Sequence, residues 1–282
     1  MREFKAKGLK SPLLFFVYIL RFLRAKIYIS LEFLLFRVNF TFSFAFFKGK
    51  NSHCVCILSQ NLLEFFIKIQ GKAMPFDFKK EFKELYAPKT TPALINVPQM
   101  HFIAVRGKGN PNTSSEYQTS VELCYALAYA LKMSHKKGYE IAGFFEYVVP
   151  PLEGFWWQSG FESGGYASKE DLSFISLIRL PEFITPQHFE WAKAQAASKK
   201  ALPFERAEFF RYDEGLCVQC LHLGSYDAEP ETLAKMSEFI AANGYEKDIS
   251  STRFHHEIYL NDPRKCEASK LKTILRVPIR KI

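Results

Sequence analysis

The stretch Cys217-Val-Gln-Cys-Leu-His-Leu-Gly-Ser-Tyr-Asp-Ala-Glu-Pro-Glu-Thr-Leu-Ala-Lys-Met-Ser-Glu-Phe-Ile-Ala-Ala-Asn-Gly244 reads in turn as strand, turn and helix. Cys217 to Leu223 is a short apolar run of strand length, and Gly224-Ser-Tyr-Asp supplies a turn. Pro230 to Asn243 has helical periodicity and stops at Gly244, a residue that accepts the left-handed conformation closing a helix. Arg253 to Leu260 and Lys272 to Ile279 follow as strands, so the passage as a whole reads βαββ.

Working outward, the same order stands upstream. Met100-His-Phe-Ile-Ala-Val-Arg106 is a strand that runs into the turn-rich Gly107-Lys-Gly-Asn-Pro-Asn112. A helix is predicted over about Ser115 to Ser134, where Val121, Leu123, Cys124, Leu127, Ala128 and Leu131 fall at helical spacing. Phe144 to Val149 and Asp171 to Leu180 are predicted as its two strands. Phe144-Phe-Glu-Tyr-Val-Val-Pro150 aligns with His255-His-Glu-Ile-Tyr-Leu-Asn261, which sets Glu146 opposite Glu257. Ile178-Arg-Leu-Pro181 likewise matches Leu275-Arg-Val-Pro278. A duplication of this kind predicts an α+β fold: duplicated βαββ units with pseudo-twofold symmetry, two antiparallel sheets around a central ligand cleft. Phe76 to Tyr86 is an amphipathic lead-in, and Pro88, Pro92 and Pro98 mark an extended connector. Pro186 to Lys199 is a connecting helix, followed by a strand near Phe209 to Tyr212.

Charge divides the chain at Met74. Residues 1–73 hold 12 Lys/Arg against 3 Asp/Glu, while 74–282 hold 26 of each, so the net +9 belongs wholly to the first quarter. The neutral remainder offers no electrostatic footprint for phosphate backbones and contains no recognisable DNA-reading motif, so direct nucleic-acid binding is not expected. Residues 1–73 form a Phe-rich, basic N-terminal extension with 13 Phe. A secretory signal is disfavoured because there is no single apolar core followed by a small-residue cleavage site. A membrane helix is interrupted by Arg21, Arg24 and Lys26, then by Glu32 and Arg37. The favoured expectation is that translation starts at Met74, with a surface anchor or a helical extension as alternatives; no membrane association is expected for 74–282.

The six cysteines set no framework. Cys54 and Cys56 lie in the extension, and Cys217 and Cys220 have redox spacing on a strand, where residues three apart face opposite ways. Buried reduced thiols in a cytoplasmic protein are the better reading. The loop Gly107-Lys-Gly-Asn-Pro-Asn112 fits neither a P-loop nor a dinucleotide fingerprint, so no cofactor is expected.

The strand at 255–260 carries the chemistry. Alternation puts His255, Glu257 and Tyr259 on one face and His256, Ile258 and Leu260 on the other. The apolar face is expected to pack on the helices, leaving a carboxylate flanked by His and Tyr on a groove. Two readings of Glu257 stand open from the residues alone: an ion pair with an Arg across the sheet, or a ligand-facing carboxylate. His-His-Glu on a strand is not the helical His-Glu-x-x-His of a zinc protease, so no metal is expected. Trp156 and Trp157 follow Pro150-Pro151 and Gly154, which suggests a strand end or loop; they either stack on a flat ligand or plug the core. Tyr147 and Tyr226 are candidate cleft walls or ordinary strand residues, Glu153 a local capping or hydrogen-bonding group, and His222 either lines the groove or, the favoured reading, is a satisfied core histidine.

Several blocks together resemble a known family. Val97-Pro-Gln-Met-His-Phe-Ile-Ala-Val-Arg-Gly-Lys-Gly-Asn-Pro-Asn112, Pro151-Leu-Glu-Gly-Phe-Trp-Trp157, Gln219-Cys-Leu-His-Leu-Gly-Ser-Tyr-Asp-Ala-Glu229, His255-His-Glu-Ile-Tyr-Leu-Asn-Asp-Pro-Arg264 and Leu271-Lys-Thr-Ile-Leu-Arg-Val-Pro278 are similar to stand-alone bacterial GyrI-like proteins, over essentially all of 74–282. The resemblance implies a small-molecule-binding domain for aromatic, often cationic, compounds. In that family the domain occurs alone or fused to DNA-binding modules of multidrug-responsive regulators. Some stand-alone members hydrolyse cyclopropane-containing genotoxins, and the namesake branch protects DNA gyrase. Carried onto this chain, Glu257 is the acidic residue at the centre of the ligand cleft. Tyr259, His255, Trp156, Trp157, Tyr147, Tyr226 and Glu153 complete the expected binding set. If the protein is an enzyme, Glu257 is its general base, with Tyr259 beside it. The partner implied is a small aromatic or cationic ligand; the sequence leaves the oligomeric state open.

Overall fold

The computed structural model describes residues 74–158 and 168–282. The extension 1–73, with Cys54, Cys56 and the readings attached to it, lies outside the described residues. Nine strands are described: β1 (Ala93–Val97), β2 (Met100–Lys108), β3 (Leu152–Trp157), β4 (Ser173–Leu180), β5 (Ala207–Tyr212), β6 (Gly215–Leu223), β7 (Tyr245–Lys247), β8 (His255–Tyr259) and β9 (Lys272–Lys281). Three helices of useful length accompany them: α1 (Ser115–Lys132), α2 (Pro186–Ala197) and α3 (Glu229–Ala242).

Local chemistry explains the helix limits. The Ser114 hydroxyl accepts from Tyr117 N at 3.3 Å and caps α1. A reciprocal box between Thr185 and His188 opens α2, with Pro186 at its first position. No side chain caps α3, which begins at Glu229-Pro230; beyond its far end Gly244 takes φ 75°.

All ladder pairings are antiparallel, and the strands form one hydrogen-bonded sheet in the order β1-β6-β9-β8-β3-β4-β2-β5, with β7 added on β9. Sequence reading expects two sheets. They are continuous here because β8 pairs with β3 as well as β9, through Glu153–Ile258, Gly154–Glu257, Phe155–His256 and Trp156–His255. Outward from that central pair the order is β4, β2, β5 on one arm and β9, β6, β1 on the other. β1 lies inside the connector read as extended, between Pro92 and Pro98, at a sheet edge where missing N–H donors are tolerated.

One predicted strand is corrected. Residues 144–149 form no ladder; Tyr147 makes a single bridge to Phe76, supported by Phe76 N to Glu146 O and Val148 N to Phe76 O, both 2.8 Å. Pro150 and Pro151 end that segment, and Phe144, Phe145 and Tyr147 go instead into an aromatic cluster with Phe78 and Phe183. The strand of the first passage starts after the prolines, as β3. Glu146 pairs with His135 at 3.1 Å and is no counterpart of Glu257.

Both sheet faces are covered. On one, α1 and α2 pack over Ile103, Val105 and Ile178 through Leu123, Leu127, Leu131 and Phe189, while α3 packs over Val218, Cys220 and Leu275 through Met236 and Ile240. On the other, two helical turns, Phe78–Glu81 and Lys83–Tyr86, bury Phe78, Leu85 and Tyr86 against Phe102, Phe155, Leu177, Ile258 and Ile274. Each such fully buried apolar side chain contributes roughly 1.5–3 kcal/mol. This reverses one expectation: Ile258 packs under the lead-in, and the long helices lie on the same face as Glu257. Alternation separates the two faces of a strand, but the element covering each is decided elsewhere in the chain. Among the described residues no helix is long and apolar enough to cross a membrane.

Candidate functional site

α1 packs over β2 and β4 and α3 over β6 and β9, so the central β3–β8 pair runs between the two helices. The floor of this gap follows from strand parity. Trp156 lies opposite His255 and Gly154 opposite Glu257, so these residues and Tyr259 project to the helix-bearing face.

They bond to one another. Trp156 Nε1 donates to the Tyr259 hydroxyl at 2.8 Å, and that hydroxyl donates to Glu257 Oε2 at 2.7 Å. His255 Nε2 lies 3.2 Å from Glu257 Oε1. Gly154 makes the arrangement possible: a Cβ there would stand 2.6 Å from Trp156 Nε1 and 3.0 Å from the Tyr259 oxygen. The Arg pairing open to Glu257 in the sequence is not adopted. Arg276 on β9 pairs with His256 across the strands, on the opposite face, and reaches Glu214 at 3.4 Å.

The walls are aromatic. Tyr117, from the first turn of α1, sits 5.5 Å from the Trp156 ring and 5.2 Å from Phe174. Tyr226, from the turn before α3, meets Tyr259 edge-on at 5.8 Å. Burial, then the charge of Glu257, pushes the Tyr226 phenol up to about 12 and those of Tyr117 and Tyr259 higher still, so all three remain neutral donors in water near neutrality.

Glu229 adds a second carboxyl. It is the first residue of α3 and only 8% exposed, and its Oε1 has no hydrogen-bond partner. Burial raises its pKa far above the carboxylate range and the Glu257 charge adds to this, against the opposing pull of Lys169. Lys169 itself reaches Asp227 at 2.6 Å. The group therefore combines a hydrogen-bonded carboxylate, a buried carboxyl whose pKa burial raises, three phenols and an indole.

Of the residues anticipated from sequence, Glu257, Tyr259, His255, Trp156 and Tyr226 converge here. Three do not. Glu153 turns to the opposite face, 1% exposed, where Oε2 meets His256 Nε2 at 2.9 Å and Oε1 accepts from Tyr86 at 3.2 Å. Trp157 shares that face, its ring 5.1 Å from Phe254, and Tyr147 is buried in the aromatic cluster around Phe78. Neighbours on a strand face opposite ways, so Trp156 and Trp157 cannot both line one cleft. His222 is buried, bound to Thr232 at 2.9 Å and to the Ser225 carbonyl at 2.9 Å. Sequence reading missed Tyr117 and Glu229. Tyr117 looks like one more aromatic in a helix, and an acid in a first helical turn is ordinary capping chemistry.

Behind the floor lies a buried polar cluster. His256 Nδ1 contacts Glu214 at 3.0 and 3.1 Å, and Arg276 Nε donates to Gln219 at 3.2 Å. Among the described residues no group of three or more His, Cys, Asp or Glu is arranged to hold a metal ion.

A family model, the GyrI-like small molecule binding domain, matches residues 90–280. Two solved structures from Listeria innocua are similar across 73% of this chain and all of their own length: a hydrolase at 42% identity (TM-score 0.67) and an uncharacterized conserved protein at 44% (TM-score 0.69). No curated protein matches the chain.

Proposed function

The chain belongs to the GyrI-like small-molecule-binding family, and we propose that it works alone as a binder of small aromatic or cationic compounds, sensing or sequestering foreign molecules in the gap between α1 and α3. The observation that carries this reading is the convergence of Glu257 with Trp156, Tyr117, Tyr226 and Tyr259 at one spot. A carboxylate boxed by aromatic faces attracts a flat cation by Coulomb and cation–π terms together, each strengthened where water is excluded. Glu257, Tyr259, His255, Trp156 and Tyr226 from the expected set, joined by Tyr117, are the residues we assign to the ligand. The equal strand order on the two arms supports reading them as duplicated βαββ units about a pseudo-twofold axis through β3–β8. Free, buried Cys124, Cys217 and Cys220 suit a reducing, cytoplasmic setting.

Titration of tryptophan fluorescence with ethidium, a flat aromatic cation, tests the reading. The wild type should bind, and Glu257→Gln should lose at least tenfold in affinity for the cation while keeping a neutral aromatic of the same shape. Equal affinity of both proteins for ethidium would remove Glu257 from the site.

A second reading is hydrolysis of reactive, cyclopropane-containing compounds, with Glu257 taking a proton from water. It is favoured by the Tyr259–Glu257 hydrogen bond at 2.7 Å and by the 42% identity to a hydrolase. A cyclopropane-bearing DNA alkylator should gain water with the wild type and not with Glu257→Gln. An unchanged compound retained by both proteins would leave binding alone. A protein that co-purifies independently of the cleft would instead favour the third reading, a protector of gyrase or another partner.

A further inference from the structure

We propose that the lead-in covers a second binding site, on the sheet face opposite the cleft, where Arg179 takes a small carboxylate. The starting observation is a difference between two arginines in matching positions. Arg179 stands in Ile178-Arg-Leu-Pro181 on β4, and Arg276 in Leu275-Arg-Val-Pro278 on β9. Both are buried and both meet the lead-in, Arg179 at Phe78 and Phe82 and Arg276 at Leu85.

Arg276 has an acceptor for each nitrogen of its head. Nε donates to Gln219 Oε1 at 3.2 Å, Nη1 to Glu214 Oε2 at 3.4 Å, and Nη2 to the Leu85 carbonyl. Its neighbours across the strands are Gln219 on β6 and His256 on β8. Arg179 has Phe102 on β2 as its neighbour, and its Nε and Nη1 have no hydrogen-bond partner although the residue is only 4% exposed. Nη2 lies 3.9 Å from Glu182 Oε1, whose side chain is 65% exposed. Rings stand where the acceptors would be: the guanidinium carbon is 4.9 Å from the Phe78 centroid and 4.5 Å from that of Phe82. Cation–π contact offsets part of a buried charge but gives Nε–H and Nη1–H no in-plane acceptor.

The charges of this face point the same way. Glu153 pairs with His256, and Glu214 with His256 and Arg276, all of them buried. With His256 protonated these two acids and two bases cancel, and the Arg179 charge is left over. A guanidinium with unmade hydrogen bonds is satisfied by a carboxylate, which supplies opposite charge and accepts N–H together. On the β9 arm the chain provides that carboxylate as Glu214; on the β4 arm a guest provides it. The phenyl surround disfavours a strongly hydrated dianion and suits a monovalent acid with a short apolar tail. Glu182, exposed beside Nη2, marks the side from which the guest enters. The Tyr147 hydroxyl, buried without a partner in the same aromatic cluster, is a further donor next to Phe78.

The test exchanges chloride for acetate at fixed ionic strength and follows thermal melting of the full chain, with ¹³C NMR of labelled acetate reading binding directly. Acetamide, of the same shape and uncharged, is the control. The wild type should gain melting temperature along a saturating curve with acetate and not with acetamide. Arg179→Gln should bind acetate more weakly by roughly tenfold or more. Glu182→Gln, at an exposed position outside the core, removes a competing carboxylate and should tighten acetate by about two- to fivefold. Unchanged acetate affinity in Arg179→Gln, or no tightening in Glu182→Gln, overturns the assignment. So does a wild type indifferent to acetate, or one that responds to inorganic phosphate and not to acetate. Ethidium titration reads the cleft separately, so failure here leaves the binding role of Glu257 standing.

Discussion

Replacing His256 by Ala should remove the charge that holds the two arms together beneath the cleft. The imidazole is wholly buried between Glu153 at 2.9 Å and Glu214 at 3.0 Å. Burial opposes its protonation, but the Glu214 charge and the hydrogen bonds it donates to both carboxylates win, and its pKa is raised. Without the ring, Glu153 keeps the Tyr86 hydroxyl at 3.2 Å and Glu214 keeps Arg276 at 3.4 Å. Losing two charge-assisted bonds of roughly 1.5–3 kcal/mol each, with partial relaxation into the space left, gives a destabilisation of about 3–5 kcal/mol. For a domain worth about 5–15 kcal/mol in total this is a large fraction, and at a urea m-value near 2 kcal/mol/M it moves the midpoint down by about 2 M. The sign with pH follows from linkage. A raised histidine pKa contributes stability that is fully present below the unfolded value of 6.5 and is lost as pH rises through the folded value. The gap between wild type and variant should therefore narrow in alkali. Urea denaturation at several pH values measures it, and adding Glu153→Gln should recover about 1–3 kcal/mol by removing the stranded charge. A midpoint shift below about 0.5 M at neutral pH, with m unchanged, would refute the argument that this cluster is a charged latch.

Gly154→Ala should drive Trp156 and Tyr259 apart, because the new Cβ would stand 2.6 Å from the indole nitrogen; a shifted tryptophan emission and at least tenfold weaker ligand binding are expected. Glu229→Gln should stabilise the fold at neutral pH by up to about 3 kcal/mol, since a carboxyl with a raised folded pKa costs stability as pH rises above its ordinary 4.5, and thermal melts at pH 4 and 8 should show the gain only at the higher value. Glu214 is held down to about 2, burial being outweighed by the charges of His256 and Arg276, so its contribution is present above pH 4.5 and lost as pH falls toward 2; Glu214→Gln should flatten the acid limb of the stability curve.

Much of the frame was legible in the sequence, because it depends on local geometry. Period-two alternation separates His255, Glu257 and Tyr259 from His256 and Ile258 whatever lies nearby. Helical spacing fixed α1 and α3 to within a few residues, and Gly244 marks where α3 stops for want of a Cβ at positive φ. The error at 144–149 has a definite cause: Phe, Tyr and Val have high strand propensity, but those side chains were drawn into an aromatic cluster, and β3 formed after the two prolines. The tertiary structure alone decided which groups meet. Glu153 and Trp157 looked like cleft residues until the β3–β8 register turned them to the far face, where His256, 103 residues from Glu153, becomes its partner. Tyr117 and Glu229 joined Glu257 only because the two helices flank the central strands from opposite arms. Backbone stereochemistry repeats every two or 3.6 residues and can be read along the chain. Burial and proton affinity depend on neighbours brought from a hundred residues away, and they exist only once the sheet has closed across its central pair.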